Sequence, residues 1–280
     1  MTDSDDKPET RSGWIHNRTS LVLAAGFLAC VLVAAGGVLA GRLVTADDEA
    51  SGPHASTAAP VTTSLIPNPP SADGGFGPPS ADSLGRPVAH PNNPAGQPLR
   101  QSGVARGDYR CEVPPNCASV EAPAGMMWQE IKPSVLPFST SDGPARVEGV
   151  AATGYTRTPQ GAAIAALHIF WRAVASRANF DVISARQMVG SRADLEKLKA
   201  TRQWDYTSRP STIPRPAAFR VTAWQDEFAA VQFAVPAKDP GTYSTLSLDV
   251  VWSEGDWKLR APTVAAPQRT VVSLLGWTPW

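Results

Sequence analysis

Histidine and cysteine are scarce in this chain, and neither sign of charge is in excess. Four His and three Cys among 280 residues leave little material for a metal centre, and Lys plus Arg balances Asp plus Glu at 25 each. Zero net charge removes the global electrostatic footprint of a nucleic-acid binder. The glycine motifs of phosphate loops and dinucleotide folds are missing, as is the GxSxG elbow of a serine hydrolase. The expectation is therefore a protein with no catalytic residue, cofactor or metal, and no nucleic-acid partner. His16, His54 and His90 fall in stretches whose composition is that of a tail or linker. Only His168 falls in the folded part, mid-helix between Leu167 and Ile169, where a lone His is more often structural than a base.

What is present is Leu21–Gly41, an apolar run with no charge between Arg18 and Arg42. At a helical rise of about 1.5 Å it spans roughly 31 Å, the thickness of a bilayer's hydrocarbon core. An uncleaved transmembrane helix over 20–42 fits this length. A cleaved signal peptide, with Val38-Leu39-Ala40 as its site, would have a shorter apolar core. A lipoprotein signal through Cys30 would put Phe27 at a poor position and leave more apolar residues after the cysteine. Lys7, Arg11 and Arg18 precede the run and only Arg42 follows before Asp47-Asp48-Glu49, so residues 1–19 are expected as a cytoplasmic tail and the bulk as exported. Gly37 and Gly41 form a GxxxG pair, the spacing by which spans self-associate, although an Ala/Gly-rich span produces it by chance as well.

Pro and Gly concentrate after the span, and residues 43–108 read as a disordered linker with PPSAD twice, at Pro69–Asp73 and Pro78–Asp82. A coil of that length would reach about 40–50 Å from the membrane. Cys111 and Cys117 come next in Cys-Glu-Val-Pro-Pro-Asn-Cys. No second Cys pair exists to complete a zinc site, and on the exported side a small-loop disulfide is the natural reading. Residues 109–150 carry too many prolines for long helices and read as an extended lead-in that packs Trp128, Ile131, Leu136 and Phe138 onto a domain.

The folded module over 151–265 reads as α+β. Thr158 is an N-cap, Pro159 opens a helix reaching about Ala178, and Ile164, Leu167, Phe170 (or Trp171) and Val174 recur at helical steps. Short helices are expected at Asp181–Val189 and Ser191–Thr201. After Pro216 the period becomes two: Ala218–Trp224, Phe228–Val235, Tyr243–Ser253 and Trp257–Pro262 read as antiparallel strands, with Glu254-Gly255-Asp256 as a tight turn. The tail 266–280 is apolar, and Trp277 and Trp280 are candidates for protein-binding anchors or for docking on the module's own sheet.

The long helix, two short helices and a sheet ending in Val250-Val251-Trp252-Ser253-Glu254-Gly255-Asp256-Trp257-Lys258-Leu259 resemble the cone-shaped, cystatin-like roll of the nuclear transport factor two superfamily, over about residues 125–265. The layout of tail, span, linker and exported roll is similar to the bitopic scaffold proteins of type IV secretion and conjugation machines. The run Gly154–Ala166 resembles one in membrane-anchored actinobacterial proteins carried on mobile elements. The resemblance implies a curved sheet around a helix and partners among envelope or transfer-machine proteins.

Rolls of that superfamily also host enzymes, whose acid–base groups face a cavity. Asp249, Tyr243 and Asp181 are the candidates for such a role. Asp249 shares its side of the strand with Thr245 and Ser247, while Leu246, Leu248, Val250 and Trp252 take the core side, which favours an outward, solvated carboxylate. Arg186, Arg192, Lys197, Lys199 and Arg202 are interleaved with Asp194 and Glu196 and read as a solvated helix face. The function expected is a non-enzymatic, single-pass membrane-anchored assembly protein of a conjugation or secretion apparatus. The alternative is a surface-tethered small-molecule-binding or catalytic roll.

Overall fold

A computed structural model of the protein describes residues 75–202, 204, 215–261 and 268–280. Strands β1 (Phe76–Ala81), β2 (Pro87–Pro91), β3 (Met127–Ile131) and β4 (Ser134–Phe138) form one sheet in that order. Strands β5 (Arg146–Glu148) and β6 (Ala151–Thr153) form a separate hairpin. Helices α1 (Pro159–Ala175) and α2 (Arg177–Gln187) come next, then the short strand β7 (Met188–Val189) and helix α3 (Arg192–Thr201). The second sheet is built from β8 (Ala218–Gln225), β9 (Phe228–Pro236), β10 (Tyr243–Ser253), β11 (Asp256–Arg260), β12 (Thr270–Val271) and β13 (Thr278–Pro279). It runs β13, β8, β9, β10, β11, β7, with β12 paired to the start of β10; all pairs are antiparallel except β11 with β7. The architecture is α+β.

The stretch 75–108, expected as part of a disordered linker, instead supplies two strands and part of the core. Composition misleads here because Pro is tolerated at sheet edges, where a missing N–H breaks no ladder. β1 carries Pro78 and Pro79 on the outer edge of its sheet, and Pro87 and Pro91 stand at the ends of β2. Asp82 closes the β1–β2 turn by accepting from the Leu84 and Arg86 amides and from Arg86 Nε at 2.7 Å. Residues 109–150 likewise hold the β3–β4 hairpin and the first strand of the β5–β6 hairpin, rather than a plain strap.

Helix α1 lies between the layers. It packs on β4 and β6 on one side and on β8 to β11 on the other. All of its residues are buried, including the Ala-rich face that the sequence offered for close packing. A helix enclosed on all sides needs side chains that are small or apolar all round, and Ala162, Ala163, Ile164, Ala165, Ala166 and Leu167 meet that need. Thr158 caps its N-terminus, accepting from the Gly161 amide at 3.0 Å. The helix stops before the expected Ala178 because Ser176 turns extended and caps α2, accepting from the Asn179 amide at 3.1 Å.

The C-terminal tail is docked. β13 pairs with β8, and Trp277 is buried beneath the Arg220 guanidinium, 4.6 Å from the ring centroid. Trp280 lies parallel to Phe233 at 6.3 Å and edge-on to Trp128 at 5.4 Å, joining the second sheet to β3 of the first. Among the described residues no helix is long and apolar enough to cross a membrane. Leu21–Gly41, with Gly37 and Gly41, lies outside those residues.

A Cβ added at Gly161 would sit 2.1 Å from the Thr156 carbonyl oxygen. That carbonyl is fixed, since it also accepts from Trp257 Nε1 at 2.9 Å. In an open helix Gly→Ala stabilises by about 1 kcal/mol. Here Gly161→Ala is expected to destabilise by about 1–3 kcal/mol, as other overpacked cores do. Thermal unfolding checks it: a lower midpoint for the variant is expected, and a raised one would refute the close contact.

Candidate functional site

Three buried ionisable groups of this domain, His168, Arg172 and Asp142, are engaged in holding the fold. His168 is fully buried in α1; its Nε2 donates to the Pro137 carbonyl at 2.7 Å, which leaves Nδ1 to accept from Arg172 Nε at 3.2 Å. Arg172, one helical turn on, donates to the Ala95 carbonyl at 2.6 Å and the Val150 carbonyl at 3.2 Å. Burial pulls its guanidinium down to about 10, still charged at neutral pH. The same burial, with Arg172 alongside, holds the His168 imidazole well below the usual histidine range. Tyr155, whose ring lies against His168, is pushed well above the usual phenol range by its burial.

A second buried knot surrounds Asp142, which is fully enclosed. Its carboxylate accepts from Arg106 Nη1 and Nη2 at 2.7 and 2.8 Å, from Ser141 Oγ at 2.5 Å, and from Thr156 and Thr158 Oγ1 at 2.8 and 2.9 Å. The carboxylate thereby fixes the N-cap of α1.

The sequence candidates do not converge. Tyr243 and Asp249 share a face of β10 but are six residues, about 20 Å, apart along it. Asp249 is half-buried, its carboxyl raised by burial and partly offset by Arg260. Tyr243 pairs with Val271 of β12 and packs against the cluster of Ala218, Ala234 and Trp277. Asp181 is on the exposed side of α2 and pairs with Lys199 Nζ at 2.5 Å. Cys111 and Cys117 are joined in a disulfide. That loop is held by Tyr109, whose hydroxyl donates to the Ala118 carbonyl at 2.7 Å and whose ring meets Trp224 edge-on. Among the described residues no group of three or more His, Cys, Asp or Glu could hold a metal.

Among the described residues a recess lies on the surface, at the end of α2. A pocket of about 320 Å³ lies between the β5–β6 hairpin, the last turn of α2 and the β10–β11 turn. Glu254 and Gly255 both take positive φ, 55° and 80°, so the hairpin turn is of the tight two-residue kind its sequence suggests. Asp256 then reaches back to accept from the Gly154, Tyr155 and Trp257 amides at 2.7, 3.2 and 2.9 Å. Burial raises its carboxyl, with those amides and Arg146 opposing. Gln187 Nε2 donates to the Ala152 carbonyl at 2.6 Å, and its buried Oε1 has no partner among the described residues. Glu254 is paired with Lys258, while Arg146 and Arg186, both exposed, make no ion pair among the described residues. Such a recess is of ligand size and presents charged and hydrogen-bonding groups. The turn was legible in the sequence, but the pocket was not, because its walls come from three segments far apart in the chain.

A family model for a domain of unknown function, DUF8175, matches residues 89–279, and the chain belongs to that family. The match starts inside β2, within the stretch whose composition reads as linker. No curated protein and no solved structure matches the chain.

The neutral, buried His168 gives stability a pH dependence. Its folded pKa is depressed, so the unfolded chain takes up a proton near pH 6.5 and the folded one only well below that. Its contribution is complete above pH 6.5 and is lost as pH falls, by at most about 1.4 kcal/mol per pH unit. Denaturant unfolding between pH 7 and 5 is expected to show this slope, and His168→Gln, which can still donate to Pro137, to flatten it. An unchanged slope in the variant would assign the acid sensitivity to other groups.

Proposed function

We propose that the chain is a non-enzymatic assembly module, anchored in the membrane by Leu21–Gly41 with its N-terminus cytoplasmic and its folded domain on the outer side. It serves a conjugation or secretion apparatus of the cell envelope by offering a stable protein-binding surface. The observation that carries this reading is the filled interior: α1 occupies the space between the sheets, and His168, Arg172 and Asp142 there are engaged with partners of the fold. The Cys111–Cys117 disulfide supports an oxidising compartment for the domain. The long helix covered by an antiparallel sheet supports the likeness to the roll of the nuclear transport factor two superfamily. Trp277 and Trp280 contribute through the fold they complete, since their rings are packed within it.

A second reading, a surface-tethered domain that binds a small molecule, is favoured by the pocket beside Arg146 and Arg186. The two separate experimentally. Affinity purification of the full chain from cross-linked detergent extracts is expected to recover envelope or transfer-machine proteins, and deletion of the gene to lower DNA transfer. Recovery of the chain alone, with transfer intact, would overturn the assembly reading.

A further inference from the structure

Three side chains on adjacent strands of the first sheet stand in a row. Ser80 on β1 faces Val88 of β2, Gly77 faces His90, and the irregularity between Gly77 and Ser80 shifts the register so that Ser80 comes within reach of His90. The parallel pair Ala89 with Gln129 then puts His90 beside Glu130 of β3. His90 Nδ1 is 2.8 Å from Glu130 Oε2, and His90 Nε2 is 2.7 Å from Ser80 Oγ. An ionised carboxylate only accepts, so in the neutral ring Nδ1 carries the proton and donates to Glu130. Nε2 is left with its lone pair, and the Ser80 hydroxyl donates to it. Hydroxyl, imidazole and carboxylate in this order are what make a serine nucleophilic.

The surroundings define what such a serine can do. Ser80 is exposed on the edge strand, and it is not among the residues that line the surface pocket. On this exposed edge, outside that pocket, the trio suits a donor that brings its own good leaving group. We propose that Ser80 is a base-activated acyl-acceptor site, modified by thioesters or activated esters. Ser80 Oγ attacks the donor's carbonyl carbon and the Oγ–C bond forms as the bond to the leaving group breaks. The hydroxyl proton passes to His90 Nε2 and on to the departing thiolate or alkoxide, and Glu130 stabilises the imidazolium in between. Nothing is oxidised or reduced, and the products are an O-acyl serine and a thiol or alcohol. The site is independent of the assembly role.

The test treats the full chain in detergent with p-nitrophenyl acetate and maps acetylation by peptide mass spectrometry over time. Ser83, exposed three residues away, is an internal reference in the same molecule that cancels any effect of partial unfolding. Ser80 is expected to acetylate about a hundredfold faster than Ser83, the lower end of what a general base contributes. His90→Gln is expected to bring the Ser80 to Ser83 ratio close to one, and Glu130→Gln to lower it, acting as a positioning residue through His90. A ratio near one in the unaltered protein would overturn the proposal without recourse to any variant. So would a high ratio that His90→Gln leaves unchanged.

Discussion

The structure depends on one buried cation. Arg172 is enclosed within the protein with no carboxylate beside it among the described residues, and taking an ion out of water costs several kcal/mol unless its hydrogen bonds are replaced. They are replaced by three acceptors from different places: the Ala95 carbonyl after β2, the Val150 carbonyl before β6, and Nδ1 of His168 on the same helix. The imidazole is held in turn by the Pro137 carbonyl of β4. A guanidinium with this geometry requires each acceptor in its place, so α1 fixes the first sheet, the approach to the β5–β6 hairpin and the stretch after β2 together. The Asp142 knot does the same at the other end of the helix, drawing Arg106 down onto Thr156 and Thr158.

Both knots recruit residues before Tyr109, and this shows what the sequence could and could not reveal. Helix α1 was legible because Thr158, Pro159 and the apolar spacing agree, and the strands from Ala218 onward because alternation and the Glu254-Gly255 turn agree. These are local signals. The role of residues 75–108 is not local: Val88 and Leu99 are single apolar residues in a Pro- and Gly-rich stretch, and their burial depends on partners far along the chain. A composition rule reads such a stretch as a tether. His90 belongs to that stretch by composition, so its position between Ser80 and Glu130 could not be seen. Trp277 and Trp280 were legible as apolar, yet their docking depends on residues distant in sequence: Ala218, Ala234 and Arg220 for Trp277, and Phe219, Phe233 and Trp128 for Trp280.

Residues 75–108 therefore belong to the folded domain, against the linker that their composition implies, through β1, β2 and the buried Val88 and Leu99.

The central claim, that the stretch around β2 is a structural layer held through Arg172, is tested most directly by amide hydrogen exchange on the full chain. Peptides covering residues 87–99 are predicted to exchange as slowly as those from β3 and β4. In Arg172→Met they should speed up while the far side of the second sheet stays protected. Exchange of residues 87–99 within seconds in the unaltered protein, as in a free tether, would contradict the account.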